Sequence, residues 1–184
     1  MRELIIYLEP PVGLKQTIQS FLDDSRDKFG WTTANKYNCH VSMSGFFTVT
    51  EPDRVLECIQ STLPKAHTIL IDMKPLLVDN HHLLLPITAP PSLHTMMTQV
   101  ADQCQDIAHI RIKKINHISL AYWDDNTHDE AILKQITKQA TSYFSNLCQE
   151  EGVWDIVLYE RTKKSQAITE VHQFRELKRW PLSC

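Results

Sequence analysis

The feature that most restricts how this chain can fold is a short pattern that occurs twice. Asn38-Cys39-His40-Val41-Ser42-Met43-Ser44-Gly45 is the first copy and Asn116-His117-Ile118-Ser119-Leu120-Ala121-Tyr122 the second. In each, a histidine is followed two residues later by a serine, with aliphatic residues between and just after. Read as β-strands, both segments put alternate side chains on one face. His40 then points the same way as Ser42, with Val41 and Met43 packed behind them. His117 and Ser119 repeat the arrangement over Ile118 and Leu120. Nine histidines would give about one His-x-Ser or His-x-Thr by composition alone. The weight therefore rests on context: both copies lie in short apolar runs within two halves that read alike. The competing interpretation is a pair of buried structural histidines.

The halves can be followed element by element. Glu3–Leu8 reads as a buried strand stopped by Pro10-Pro11. Leu14, Ile18, Phe21, Leu22 and Phe29 recur at helical spacing, and Gly30 ends that segment. After the first histidine strand, Thr50-Glu51-Pro52-Asp53 looks like a cap for a helix with Val55, Leu56, Ile59 and Leu63 inward. Thr68–Met73 reads as a strand, and Leu76–Val78 with Leu83–Ile87 as a hairpin around Asp79-Asn80-His81-His82. In the second half, Pro90-Pro91 opens a helix lined by Leu93, Met96, Met97, Val100, Ala101 and Cys104. Arg111-Ile112-Lys113-Lys114 enters the second histidine strand. Asp124-Asp125-Asn126-Thr127 reads as the cap of a helix with Ile132, Ile136, Ala140, Tyr143, Phe144 and Leu147 inward. Val153–Tyr159 and roughly Ala167–Leu177 read as the last strands. Each half thus runs strand, helix, histidine strand, helix, strand.

Composition removes several function classes. A chain of 184 residues suits one domain, or one domain of two similar lobes. Its net charge of −3, with neither half basic, argues against a general binder of long nucleic acids. Five cysteines with no Cys-x-x-Cys pair fit reduced thiols better than a disulfide framework or zinc site. Four glycines leave no glycine-rich phosphate loop. The strand-like start is too short for a signal-peptide core, and no apolar run approaches membrane-spanning length. The expectation is a cytoplasmic monomer without a membrane partner, the nucleus being the alternative compartment.

With these residues in view, the chain resembles the two-histidine (2H) phosphoesterase superfamily, over essentially its whole length. His40-Val41-Ser42-Met43 and His117-Ile118-Ser119-Leu120 match the two His-x-Ser/Thr motifs, with serine for the commoner threonine in both. Gly45 resembles the glycine that often follows the first motif in the RNA ligase-like, cyclic phosphodiesterase branch. Leu158-Tyr159-Glu160 and Leu177-Lys178-Arg179-Trp180-Pro181-Leu182 look like that branch's closing strands. The resemblance implies an α+β fold of two pseudo-symmetric lobes, roughly 1–88 and 89–184. Each would be a mainly antiparallel sheet with outer helices, facing the other across a central cleft, with strand exchange between lobes as a variant.

It also implies a hydrolase, a phosphodiesterase acting on 2′,3′-cyclic phosphates of nucleotides or RNA ends. His40 and His117 would be the catalytic acid and base, and Ser42 and Ser119 would bind the phosphate. The substrate would be a small nucleotide or a short single-stranded RNA end. Phe46, Tyr122 and Trp123 are candidates for base stacking. Lys113 and Lys114 read as a solvated charge cluster, and His81-His82 and Asp124-Asp125 as a polar turn and a helix cap rather than metal ligands. Alternatives are a 2′,5′-oligoadenylate or RNA 3′-end phosphodiesterase, or a non-catalytic nucleotide- or RNA-binding module. A histidine metalloenzyme lacks a third ligand at recognisable spacing. No cofactor or metal is expected. Phosphodiesterase turnover should therefore persist in excess EDTA; loss on chelation, restored by one added divalent ion, would count against two-histidine chemistry.

Overall fold

The computed structural model describes residues 1–64, 68–79, 81–124, 129–145 and 152–182. Its fold is α+β, with two antiparallel sheets and, among the described residues, four α-helices. The first sheet is organised on β1 (Arg2–Glu9), an apolar run stopped by Pro10-Pro11. Proline lacks the N–H a ladder needs. Leu4, Ile6 and Leu8 enter the core, while Ile5, Tyr7 and Glu9 face the opposite way and are also buried. On β1 pair β2 (Val41–Ser42), β3 (Phe47–Val49) and β8 (Asp155–Lys163), and β9 (Gln173–Pro181) continues outward from β8. In the second sheet β4 (Leu70–Ile71), β5 (Leu76–Val78) and β7 (His117–Ala121) all pair with β6 (His82–Thr88).

Each sheet takes strands from both halves of the sequence. β8 and β9 complete the sheet begun by β1, and β4, β5 and β6 of the first half share the second sheet with β7. The helices cover this frame in pairs, α1 (Val12–Phe29) beside α4 (Glu130–Phe144) and α2 (Asp53–Thr62) beside α3 (Pro91–Gln103). Helix α1 buries Leu14, Ile18, Phe21 and Leu22, a stripe at helical spacing. Phe21 meets Phe144 of α4 at 5.2 Å between centroids. Gly30 ends α1 at φ 89°, a conformation a side chain disfavours. Among the described residues no helix is long and apolar enough to cross a membrane.

Several boundaries differ from the sequence expectations. Helix α4 starts at Glu130, because the Asp129 carboxylate accepts N–H bonds from Ala131 (2.8 Å) and Ile132 (3.1 Å). The expected cap residues 125–127 and Leu147 lie outside the described residues, as does Asn80 of the expected turn. Leu133, which the sequence reading omitted, is the buried residue in the first turns of α4, and Ile132 is only partly buried. The strand expected at Thr68–Met73 shortens to Leu70–Ile71. The last strand is Gln173–Pro181 instead of 167–177. There Trp180 is buried and its Nε1–H donates to Gln60 Oε1 of α2 at 2.9 Å.

The first histidine strand is cut short for a local reason. Both Met43 N–H (3.0 Å) and Ser44 N–H (3.3 Å) donate to the Ile6 carbonyl. The Ile6 N–H turns instead to Ser44 Oγ at 2.9 Å. This bulge separates β2 from β3 and sends Met43–Gly45 toward the other sheet. There Lys113 N–H donates to Met43 O (3.0 Å), Gly45 N–H donates to Arg111 O (2.8 Å), and Ser44 bridges Ile112. Ser44→Ala removes the Oγ that accepts a buried N–H and should cost about 1–3 kcal/mol in urea unfolding. Ser42→Ala, which leaves that bond in place, should not show a loss of that size.

Candidate active site

β2 and β7 belong to different sheets, yet their Cα atoms approach within 8 Å. His40 lies immediately before β2 and His117 opens β7, so the strand geometry expected for both motifs holds fully only for the second. His40, Ser42, His117 and Ser119 all line one pocket of about 670 Å³. The four motif residues, distant in sequence, are thus brought together. Tyr7 is the antiparallel partner of Ser42, so the two share a face of the first sheet. Its ring stacks on the His40 imidazole at 3.7 Å, with 26° between planes.

Each imidazole is held from behind through Nδ1. His40 Nδ1 is 2.6 Å from the Asn38 carbonyl, which can only accept, so Nδ1 carries the proton. Nε2 then keeps its lone pair, 3.2 Å from Ser42 Oγ. His117 Nδ1 likewise donates to Asn116 Oδ1 at 2.8 Å, which leaves its Nε2 as the nitrogen available for proton transfer. The backbone before His117 is strained: buried Ile115 sits at φ 52°, a region costly for a β-branched residue.

Burial dominates the electrostatics. It pushes His40 down to about 4, against the raising effects of the Asn38 carbonyl and the Glu9 carboxylate. His117 adds a lowering contribution, so the two imidazoles sense each other. His117 is also lowered, by burial first and then by His82, Lys113 and Lys114. Both rings are therefore disposed to be neutral. The Tyr7 phenol is raised by burial, and its hydroxyl has no hydrogen-bond partner among the described residues.

No family model matches the sequence, and no curated protein matches it. Among solved structures, the chain is similar to E. coli LigT complexed with phosphate, at 15% identity and a TM-score of 0.52, covering 98% of this chain and 96% of that one. E. coli LigT complexed with NADP+ also matches at 15% identity, with a TM-score of 0.53, covering 100% and 98%. The fold is that of LigT. The likeness to LigT spans the whole chain and includes both sheets, with the helices around them.

Within this LigT-like frame the other sequence candidates separate. Phe46 and Tyr122 line the pocket. Phe46 stacks in parallel with Phe174 at 6.3 Å and carries the Arg161 guanidinium 3.8 Å over its ring. Tyr122 faces His82 at 5.8 Å. Trp123 is not part of the pocket lining; it is partly buried against the hydrophobic core. β7 ends at Ala121, and the turn at Thr33–Lys36 then takes the backbone, Thr33 N–H donating to Tyr122 O at 2.7 Å. Strand alternation therefore stops before Tyr122 and Trp123. Lys113 and Lys114, read as a solvated cluster, are on the pocket wall, and Lys113 is half-buried. His82, read as part of a turn, opens β6 and also lines the pocket. Sequence reasoning missed Tyr7, Asn38, Asn116 and Arg111; only the asparagine just upstream of each histidine was a visible signal. Among the described residues no group of three or more His, Cys, Asp or Glu is arranged to hold a metal.

The depressed His40 value has a testable sign. Unfolded, the ring titrates near 6.5; folded, it is pushed down to about 4, so the unfolded chain binds more protons between these values. Stability from neutral His40 is complete above about pH 6.5 and should be lost progressively as pH falls toward 4. Imidazole ¹⁵N spectra should show His40 neutral, with the proton on Nδ1, at pH 6. A normal titration near 6.5 would contradict the desolvated site.

Proposed function

We propose that this chain is a phosphodiesterase of the two-histidine type, opening the 2′,3′-cyclic phosphate of a nucleotide or RNA end without a metal. One observation carries the reading. Two histidines from different sheets, each buttressed at Nδ1 and each followed two residues on by a serine, line the same pocket. The LigT fold supports it, since LigT has been crystallised with phosphate and with NADP+, both phosphate-bearing.

The chemistry follows from the ring nitrogens. His40, neutral down to about pH 4, takes a proton from water at Nε2 as the water oxygen bonds to phosphorus. The bond from phosphorus to one ribose oxygen breaks, and His117 gives that oxygen a proton from Nε2. Although burial lowers His117, a bound phosphate anion beside the ring favours its charged form. Ser42 and Ser119 donate to the non-bridging oxygens, where negative charge grows in the transition state. Phe46, which also carries Arg161 over its ring, and Tyr122 line the pocket where a base would stack.

The test is turnover on a panel of 2′,3′-cyclic nucleotides, 2′,5′-oligoadenylate, ADP-ribose cyclic phosphate and 3′-tailed RNA. His40→Ala and His117→Ala should each reduce single-turnover rate by about 10²–10⁴-fold while retaining ligand affinity. Together the losses should be less than additive, because both groups serve one transition state. Ser42→Ala and Ser119→Ala should cost about 10- to 1000-fold. Histidine variants that stay fully active, or that are inactive only because they melt, would remove the catalytic assignment. The acidic limb of kcat/KM should fall near pH 4, following His40.

A further inference from the structure

Arginine use in this chain is nearly uniform. Arg2, Arg26, Arg54, Arg161, Arg175 and Arg179 each sit against a carboxylate. Arg111 has no carboxylate partner among the described residues, although the chain as a whole carries a net charge of −3. It is nevertheless held firmly. Its carbonyl accepts Gly45 N–H at 2.8 Å, and Ile112 beside it bridges Ser44.

Its side chain is exposed and runs past Gly45. The guanidinium lies over Gly45, where an added Cβ would come within 3.1 Å of Nε and 3.2 Å of Nη2. Gly45 itself has no positive φ, so what its missing side chain provides is room for Arg111. Both residues line the pocket that holds His40 and His117. Lys113, two residues on and half-buried, lines it too and is without an ion-pair partner among the described residues. Burial lowers the Lys113 ammonium, and the Arg111 charge lowers it further. Two cations on one pocket wall, neither ion-paired among the described residues although Asp124 also lines the pocket, form a site that an incoming anion relieves.

The scissile phosphate already has two imidazoles and two hydroxyls. We propose that Arg111, backed by Lys113 and seated on Gly45, binds a second phosphate of the ligand, so that the substrate class is a nucleotide carrying a phosphate beyond the cyclic one. This rests on the proposed function for the identity of the first phosphate. A guanidinium suits the role because its planar fork grips two phosphate oxygens at once.

Calorimetric titration separates the two phosphates without requiring turnover. The probes are adenosine 3′-monophosphate and adenosine 3′,5′-bisphosphate. The wild-type protein should bind the bisphosphate about 10- to 100-fold more tightly, the range of a charge-assisted contact to phosphate. Arg111→Gln should abolish that preference and leave the monophosphate within about threefold of wild type. Arg111→Lys should keep part of the preference. Gly45→Ala, which leaves the charge but crowds its seat, should reduce it, with thermal melting used to confirm that each variant is folded. If Arg111→Gln weakens both ligands equally, Arg111 serves the scissile phosphate and the second site does not exist. A wild type without preference, or an Arg111→Gln protein that keeps it, overturns the proposal as well. A protein that prefers the bisphosphate yet hydrolyses no cyclic phosphate would retain the subsite and lose the proposed reaction; one that hydrolyses without preference would do the reverse.

Discussion

The carbonyl of Ile6, shared between the N–H groups of Met43 and Ser44, is the constraint on which the site depends. By taking two donors it ends β2 directly after Ser42 and leaves Ile6 N–H to the Ser44 hydroxyl. The chain then leaves the edge of β1 and pairs with residues 111–113, which precede β7 of the other sheet. That short backbone ladder ties the segment following the first histidine to the segment preceding the second. The distance between two catalytic candidates is thus set by main-chain hydrogen bonds. Rigid backbone is the kind of support that holds acid and base groups in register.

The surroundings of the rings explain why the pair is poised and not already charged. Tyr7 covers His40, and burial outweighs the favourable influence of Glu9. His117 is desolvated as well and feels the nearby cations. A site of this kind holds little net charge of its own on the imidazoles. It gains a proton as an anion enters, since the phosphate offsets the desolvation that kept the ring neutral. Binding and protonation are then one linked event.

Much of this was legible in the sequence, because the elements follow strong periodicities. The helical stripe of α1, the apolar β1 and the two histidine segments needed only spacing to be recognised, and the duplication made the α+β arrangement readable. What was illegible depends on contacts between distant segments. The run from Asp124 to Asp129 offers several residues able to cap a helix, and only the backbone path shows that Asp129 does so. Nothing about Ser44 distinguishes it from Ser42, and both line the pocket, yet Ser44 Oγ replaces a ladder acceptor while Ser42 Oγ lies 3.2 Å from His40 Nε2. Tyr122 and Trp123 are adjacent aromatics after a strand. The turn at Thr33 decides which of them reaches the pocket. Arg111 reads in the sequence as part of a basic connector, and only the fold sets it beside Gly45 without a carboxylate partner among the described residues.

The exchange of strands between the sheets has a consequence for how such a chain can be divided. A fragment ending after β6 would carry β6 without the β7 it pairs with, and β1 without β8. Its complement would hold β8 and β9 without β1. Each piece would expose an open ladder edge and part of the shared core. Each piece supplies the strand partners that the other lacks. The two histidine halves, alike as they read, behave as interlocked partners that must be present together, and the contacts joining them are largely long-range in sequence. Assembly of the site is therefore the same event as closure of the fold.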